Sequence, residues 1–145
     1  MNEVIVPVTL SEGAYEPSYA TPGSAGMDLR STQNVTLAPL QRALVSTGVR
    51  VAIPDGFEGQ VRPRSGLALK KGISLVNSPG TIDSDYRGEI GLIVINLSDS
   101  VVQIEQGERV AQLVVCPFAR ATLDIVEDLD DTIRGTGGFG STGKQ

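Results

Sequence analysis

Short β-branched segments recur along this chain between turn signals, and they decide what it can fold into. "VIVPVTL", "NVTL", "ALVSTGVRVAI", "GQVR", "ISLV", "IGLIVINL", "VVQIE" and "RVAQLVV" are separated by turn formers such as "PDG", "SPG" and "QGE". Apolar residues at helical spacing are nowhere sustained; the one credible helix is "SGLALKKG", from Ser65, only about two turns long. Many short strands in 145 residues predict a single all-β domain, a sandwich, jelly roll or barrel, with one core and no need of a second.

Composition narrows the chemistry by what is missing. There is no histidine, which removes the commonest general base, the usual zinc ligand and any Ser-His or Cys-His nucleophile pair. If the chain is an enzyme, a carboxylate must serve as base. A formal net charge of −5 argues against surface-wide attraction to nucleic acid or anionic lipid, so a phosphate must be met by local positive groups. The single cysteine, Cys116 in "VVCPF", is expected to be a small buried thiol in a reducing compartment. No apolar run approaches the roughly 18 residues of a membrane span, and "MNEVIVPVTL" lacks a basic leader, so a soluble chain that is not exported is expected.

Several stretches have the makings of a site. In "NSPGTIDSDYRGEIGLIVINL", Pro79 and Gly80 are expected at the centre of a turn whose flanks form a hairpin. Asp83 then falls just after the turn, where a carboxylate can be held as a base; its plainer role, like that of Asp85, is ordinary turn hydrogen bonding. In "VRPRSGLALK", Arg64 and Ser65 converge on a helix start, either as an anion contact or as a simple serine cap beside solvated arginines. In "QGERVAQLVV", alternation places Gln112 on the face of Val110 and Val114, as a satisfied core amide or a ligand contact. "SAGMDLRS" sets Asp28 near Gly26, a carboxylate for a cation or for an arginine. "ATLDIVEDLDDTIRG" is expected to be a solvated connector, with Glu127, Asp128, Asp130 and Asp131 in water. It leads to "RGTGGFGSTG", where glycines leave backbone N–H groups free beside Ser141 and Thr142, the chemistry of an anion cradle that stays loose until something orders it.

Taken in order, "AGMDL" (25–29), "PRSGLA" (63–68), "GTIDSDYRG" (80–88), "GERVAQL" (107–113) and "RGTGGFGSTG" (134–143) resemble the five ordered motifs of the trimeric dUTP pyrophosphatases, over nearly the whole chain. The resemblance implies a jelly-roll catalytic domain over 1–133 with one short helix, and a flexible glycine-rich tail over 134–145 that closes over an active site. It implies a homotrimer whose active sites are shared between subunits. Asp83 matches the carboxylate that orients and deprotonates the attacking water, Tyr86 the ring packed on deoxyribose, and Asn77 with the backbone around Ile82 the uracil reader. Arg64, Ser65 and Gly66 match the phosphate-contacting motif, and Gln112 a phosphate or water contact. Asp28 resembles a residue reaching Mg²⁺ through water, and Arg109 one that holds its strand and a carboxylate in place. In the tail, Phe139 matches the ring that stacks on uracil, while Arg134, Gly140, Ser141 and Thr142 match the grip on the γ-phosphate.

The implied reaction is water attack on the α-phosphorus of dUTP, with Mg²⁺ on the phosphates, giving dUMP and pyrophosphate. Such an activity limits uracil incorporation into DNA and supplies dUMP for dTTP synthesis. The implied location is the cytoplasm, or also the nucleus in a eukaryote, with no nucleic acid or membrane as partner. The related dCTP deaminases share the jelly roll but carry a glutamate where this chain has Ile93, and they lack the long tail motif. A non-catalytic β-sandwich module is the remaining alternative, and a pyrophosphate-release assay separates it from an enzyme.

Overall fold

The computed structural model describes residues 3–143. Its strands are β1 (Val8–Leu10), β2 (Ser18–Tyr19), β3 (Met27–Arg30), β4 (Val35–Leu37), β5 (Arg42–Ser46), β6 (Val49–Val51), β7 (Phe57–Pro63), β8 (Ile73–Leu75), β9 (Gly80–Ile82), β10 (Gly91–Asn96), β11 (Val102–Ile104) and β12 (Arg109–Pro117), with a single helix α1 (Ser65–Lys71). They form a five-stranded sheet in the order β2-β3-β12-β7-β9, a three-stranded sheet β5-β10-β8, and the ribbons β1-β6 and β11-β4. Every pairing is antiparallel. The result is an all-β jelly roll around one aliphatic core that draws Leu29, Leu37, Val45, Val49, Leu92, Ile104 and Leu113 from all four pieces.

Local chemistry explains where the strands break. Gly48, at φ 67, cuts "ALVSTGVRVAI" into β5 and β6, which belong to different sheets. A β-carbon there would also meet that of Ala14 at 2.6 Å, so the turn needs glycine for its conformation and for its space. Helix α1 ends as the sequence announces, with Gly72 at φ 66 donating its N–H back to Ala68 and Leu67. Its start at Ser65 is the one expected, but the serine-cap alternative is not met. Arg64 occupies the capping position and Ser65 is the first helical residue, so Ser65 is not the cap.

The hairpin expected around Pro79-Gly80 does not form. β8 pairs with β10 and β9 with β7, so the segment between them carries the chain from one sheet to the other. The Ser78–Pro79 peptide is cis, and Gly80 opens β9 as a buried strand residue. Both flanks have apolar residues to bury, Ile73 and Leu75 on one side and Ile82 on the other. Each finds a partner strand in its own sheet rather than across the turn.

β12 is the central strand of the larger sheet, and Val110, Ala111, Leu113 and Val114 are all buried. Its pairing with β3 shifts register between Arg109 and Ala111, so simple alternation does not place Val110 relative to Gln112. Cys116, expected to be buried, is only half-buried, with Arg62 Nη2 at 3.9 Å from its Sγ. Among the described residues the last strand ends at Pro117, and residues 118–136 are exposed throughout.

Candidate active site

The crossover after β8 and the loop that follows β9 enclose a pocket lined by Asn77, Gly80, Thr81, Ile82, Tyr86 and Glu89, with its floor from Val61, Leu75 and Leu92. Gly80 packs directly under the Asn77 amide; a β-carbon at that position would lie 3.1 Å from Nδ2. Asp83 follows Ile82 and starts a tight turn in which its carbonyl accepts the Tyr86 N–H at 3.2 Å. Among the described residues nothing hydrogen-bonds to or pairs with the Asp83 carboxylate, which is exposed next in the chain to Ile82 of the pocket lining. Tyr86 bends back to donate its hydroxyl to the Glu89 carbonyl at 2.8 Å. Glu89 in turn accepts from Ser46 Oγ of β5 at 2.9 Å, which ties the loop to the smaller sheet.

A second group gathers where β3, β12 and the start of α1 meet. Asp28 is largely buried, and its two oxygens are divided between two arginines: Arg64 Nε at 3.0 Å and Arg109 Nη1 at 3.2 Å. Arg64 also donates Nη1 to the Arg109 carbonyl at 3.1 Å. Of the two readings open for Asp28, a cation or an arginine, the chain alone supplies arginines. Ser65 and Gly66 stand exposed beside this cluster in the first turn of α1. Gln112 is half-buried, its Nε2 donating to the Pro63 carbonyl at 2.9 Å while its Oε1 presses on Gly26, where a β-carbon would not fit.

The third group is the glycine-rich segment. Arg134 donates Nε to the Gly137 carbonyl at 2.7 Å, and Ser141 N–H to Gly138 at 3.0 Å; these and the neighbouring turns are bonds of the segment to itself. Phe139 adopts φ 52, rare for a bulky residue, and its ring is completely exposed. Gly140 and Thr142 are likewise exposed. Of the expected tail over 134–145, residues 144 and 145 lie outside the described residues.

The family model described as dUTPase matches residues 13–143. This chain belongs to the dUTPase family. A deoxyuridine 5'-triphosphate nucleotidohydrolase of Anaeromyxobacter sp. (strain Fw109-5) is 57% identical over 128 residues, covering 88% of this chain and 87% of that one. The dUTPase of Staphylococcus bacteriophage 80alpha, solved with dUpNHpp, superposes with a TM-score of 0.90 at 31% identity, covering 97% of this chain and 99% of the other. A mutant dUTPase from phage phi11 of S. aureus, described as revealing the coordination of a structural Mg(II) ion, superposes at 0.81 with 28% identity, covering 88% of this chain and 100% of the other.

In this dUTPase the site residues named from the sequence fall into three separate groups: Asn77, Ile82, Asp83 and Tyr86; then Asp28, Arg64, Ser65, Gly66, Arg109 and Gln112; then Arg134 to Thr142. Of these residues, Asn77, Ile82 and Tyr86 of the first group line the pocket, and none from the other two groups does. The sequence reading missed Glu89, Thr81 and Ser46. A signal for Glu89 was present, since it is a charged residue in "GEIGLIVINL", directly before an apolar strand.

Proposed function

We propose that this chain hydrolyses dUTP to dUMP and pyrophosphate, with Asp83 as the base for the attacking water. The carrying observation is an exposed carboxylate, unpaired among the described residues and adjacent in the chain to Ile82 of a pocket lined by an amide, a strand backbone and a tyrosine, in a chain of the dUTPase family. A free carboxylate has lone pairs to orient a water and take its proton, and such a base contributes about 10²–10⁴ in rate. Asn77 and the β9 backbone, including Ile82, would read uracil. Rejecting thymine then relies on the extra methyl meeting backbone, because attraction differing by one methyl is worth only about 1–3 kcal/mol. The phage enzyme's structure with dUpNHpp supports a deoxyuridine nucleotide as the ligand.

Arg64, Ser65, Gly66 and Gln112 would receive the phosphates, held in place by the Asp28–Arg64–Arg109 cluster. A divalent ion would have few protein ligands here: among the described residues no three of Asp, Glu, Cys or His gather, and each oxygen of Asp28 already accepts from an arginine. That donor set fits Mg²⁺, which retains waters and takes phosphate oxygens, with Asp28 reaching it through water. When bound, the ion would neutralise phosphate charge.

The three groups belong together chemically yet stand apart in one chain, which favours a homotrimer with sites shared between subunits. Residues 134–143 would then close over a neighbour's nucleotide, Phe139 on the base and Arg134, Gly140, Ser141 and Thr142 on the γ-phosphate, excluding water as they order. Among the described residues no helix is long and apolar enough to cross a membrane. Pyrophosphate release measured with dUTP, dTTP, UTP and dCTP tests the reading. Selective turnover of dUTP is expected; no release, or equal turnover of dCTP, overturns it.

A further inference from the structure

We propose that Gly88 is a positioning residue for sugar selection, because it is the seat on which the Tyr86 ring rests. The inference rests on the reading of Tyr86 as the ring against deoxyribose. Gly88 does not have the positive φ that demands glycine at Gly48 or Gly72, so its backbone suits any residue. What demands glycine is space. A β-carbon at Gly88 would collide with the Tyr86 hydroxyl and lie 2.5 Å from Cζ and 2.8 Å from Cε1, all atoms of one rigid ring.

The loop on either side of Gly88 is tied at several points, more firmly than the ring. Tyr86 N–H is bound to the Asp83 carbonyl at 3.2 Å. Arg87 donates Nη1 to the carbonyls of Ser84 and Tyr86 at 2.6 and 3.0 Å. Glu89 is anchored through its carboxylate to Ser46. The ring, held to the loop by its hydroxyl on the Glu89 carbonyl and otherwise half open to solvent, is the part free to move. Any side chain at position 88 therefore swings Tyr86 out of the pocket wall, and the volume it leaves is where a ribose 2'-hydroxyl would go.

The test is a double-mutant cycle read as the ratio of kcat/KM for dUTP over UTP, with dTTP as a control for base reading. Gly88→Ala should lower the dUTP/UTP ratio about tenfold or more while leaving the dUTP/dTTP ratio within about twofold. In a Tyr86→Ala background the same substitution should change the dUTP/UTP ratio by less than about twofold, since its effect passes through the ring. A preserved ratio in Gly88→Ala, or an equal loss with the ring absent, overturns the proposal. An unchanged ratio in Tyr86→Ala alone would instead sink the underlying reading of the ring. Should Gly88→Ala fail to fold, the double variant decides: with the ring removed the collision is gone, so Gly88→Ala in the Tyr86→Ala background should fold and melt like Tyr86→Ala alone, and a double variant that also fails to fold overturns the proposal.

Discussion

Two aspartates in motif segments are given opposite work by their surroundings. Asp83 has an unengaged carboxylate, while both oxygens of Asp28 are occupied by guanidinium groups. Asp83→Asn should cut kcat by about two to four orders of magnitude with dUpNHpp affinity nearly unchanged, because the proposed base would be lost and the proposed phosphate contacts would remain. Wild-type turnover would remove Asp83 from the mechanism. Asp28→Asn should behave differently. It leaves Arg64 and Arg109 without their shared anion, costing about 1–2 kcal/mol of stability, between the exposed-pair and buried-pair limits, and it should weaken dUpNHpp binding. Thermal melting with and without that analogue reads both effects; an unchanged melt and unchanged affinity would show the cluster to be incidental. Asp28 also shows why a site is hard to read from spacing. "AGMDL" and "PRSGLA" lie far apart in sequence, and only the β3-β12-β7 pairing, Gln112 opposite Asp28 on one side and Arg62 on the other, brings their side chains together.

At the scale of elements, what the sequence made legible was whatever had a one-sided local cause. β10, β11 and β12 carry valines and isoleucines, β5 and β8 sit in short aliphatic stretches, and α1 has its glycine stop. β3 escaped because "MDLR" holds two charged residues, and only Leu29 among its four is fully buried. β9 escaped because "GTI" looks like the end of a turn until its partner β7 is known. Asn96 illustrates a polar residue that the core requires. Buried at the end of β10, it donates Nδ2 to the carbonyls of Leu37 and Ser100 at 3.0 and 2.8 Å, and its Oδ1 accepts from Ser98 N–H and Oγ. It thereby clamps β4 and the loop 97–100 onto β10. Asn96→Ala should cost about 2–4 kcal/mol, since several groups lose their partner in a closed interior. Denaturant unfolding measures it, and a loss below about 0.5 kcal/mol would mean water replaces the amide.

At the scale of the whole molecule the separated site groups make a claim about assembly. Mixing Asp83→Asn chains that keep the tail with chains truncated before Arg134 that keep Asp83, then refolding, should restore activity. If trimers assemble at random and the two parts come from different chains, about a quarter of sites regain both. Mixed trimers giving only the sum of residual activities would defeat the trans-acting tail and leave the reaction untouched. The exposed run after Pro117 carries another consequence, one that a protease would read. Between 118 and 143 the basic residues are Arg120 and Arg134, so trypsin has two bonds to choose from. Leu123, Ile125, Leu129 and Ile133 stand bare in the single chain and need cover, whereas the stretch from Arg134 onward offers only Phe139. If the chain assembles as proposed, trypsin should cut first after Arg134, slowly once dUpNHpp is added, and reach Arg120 only when dilution separates the subunits.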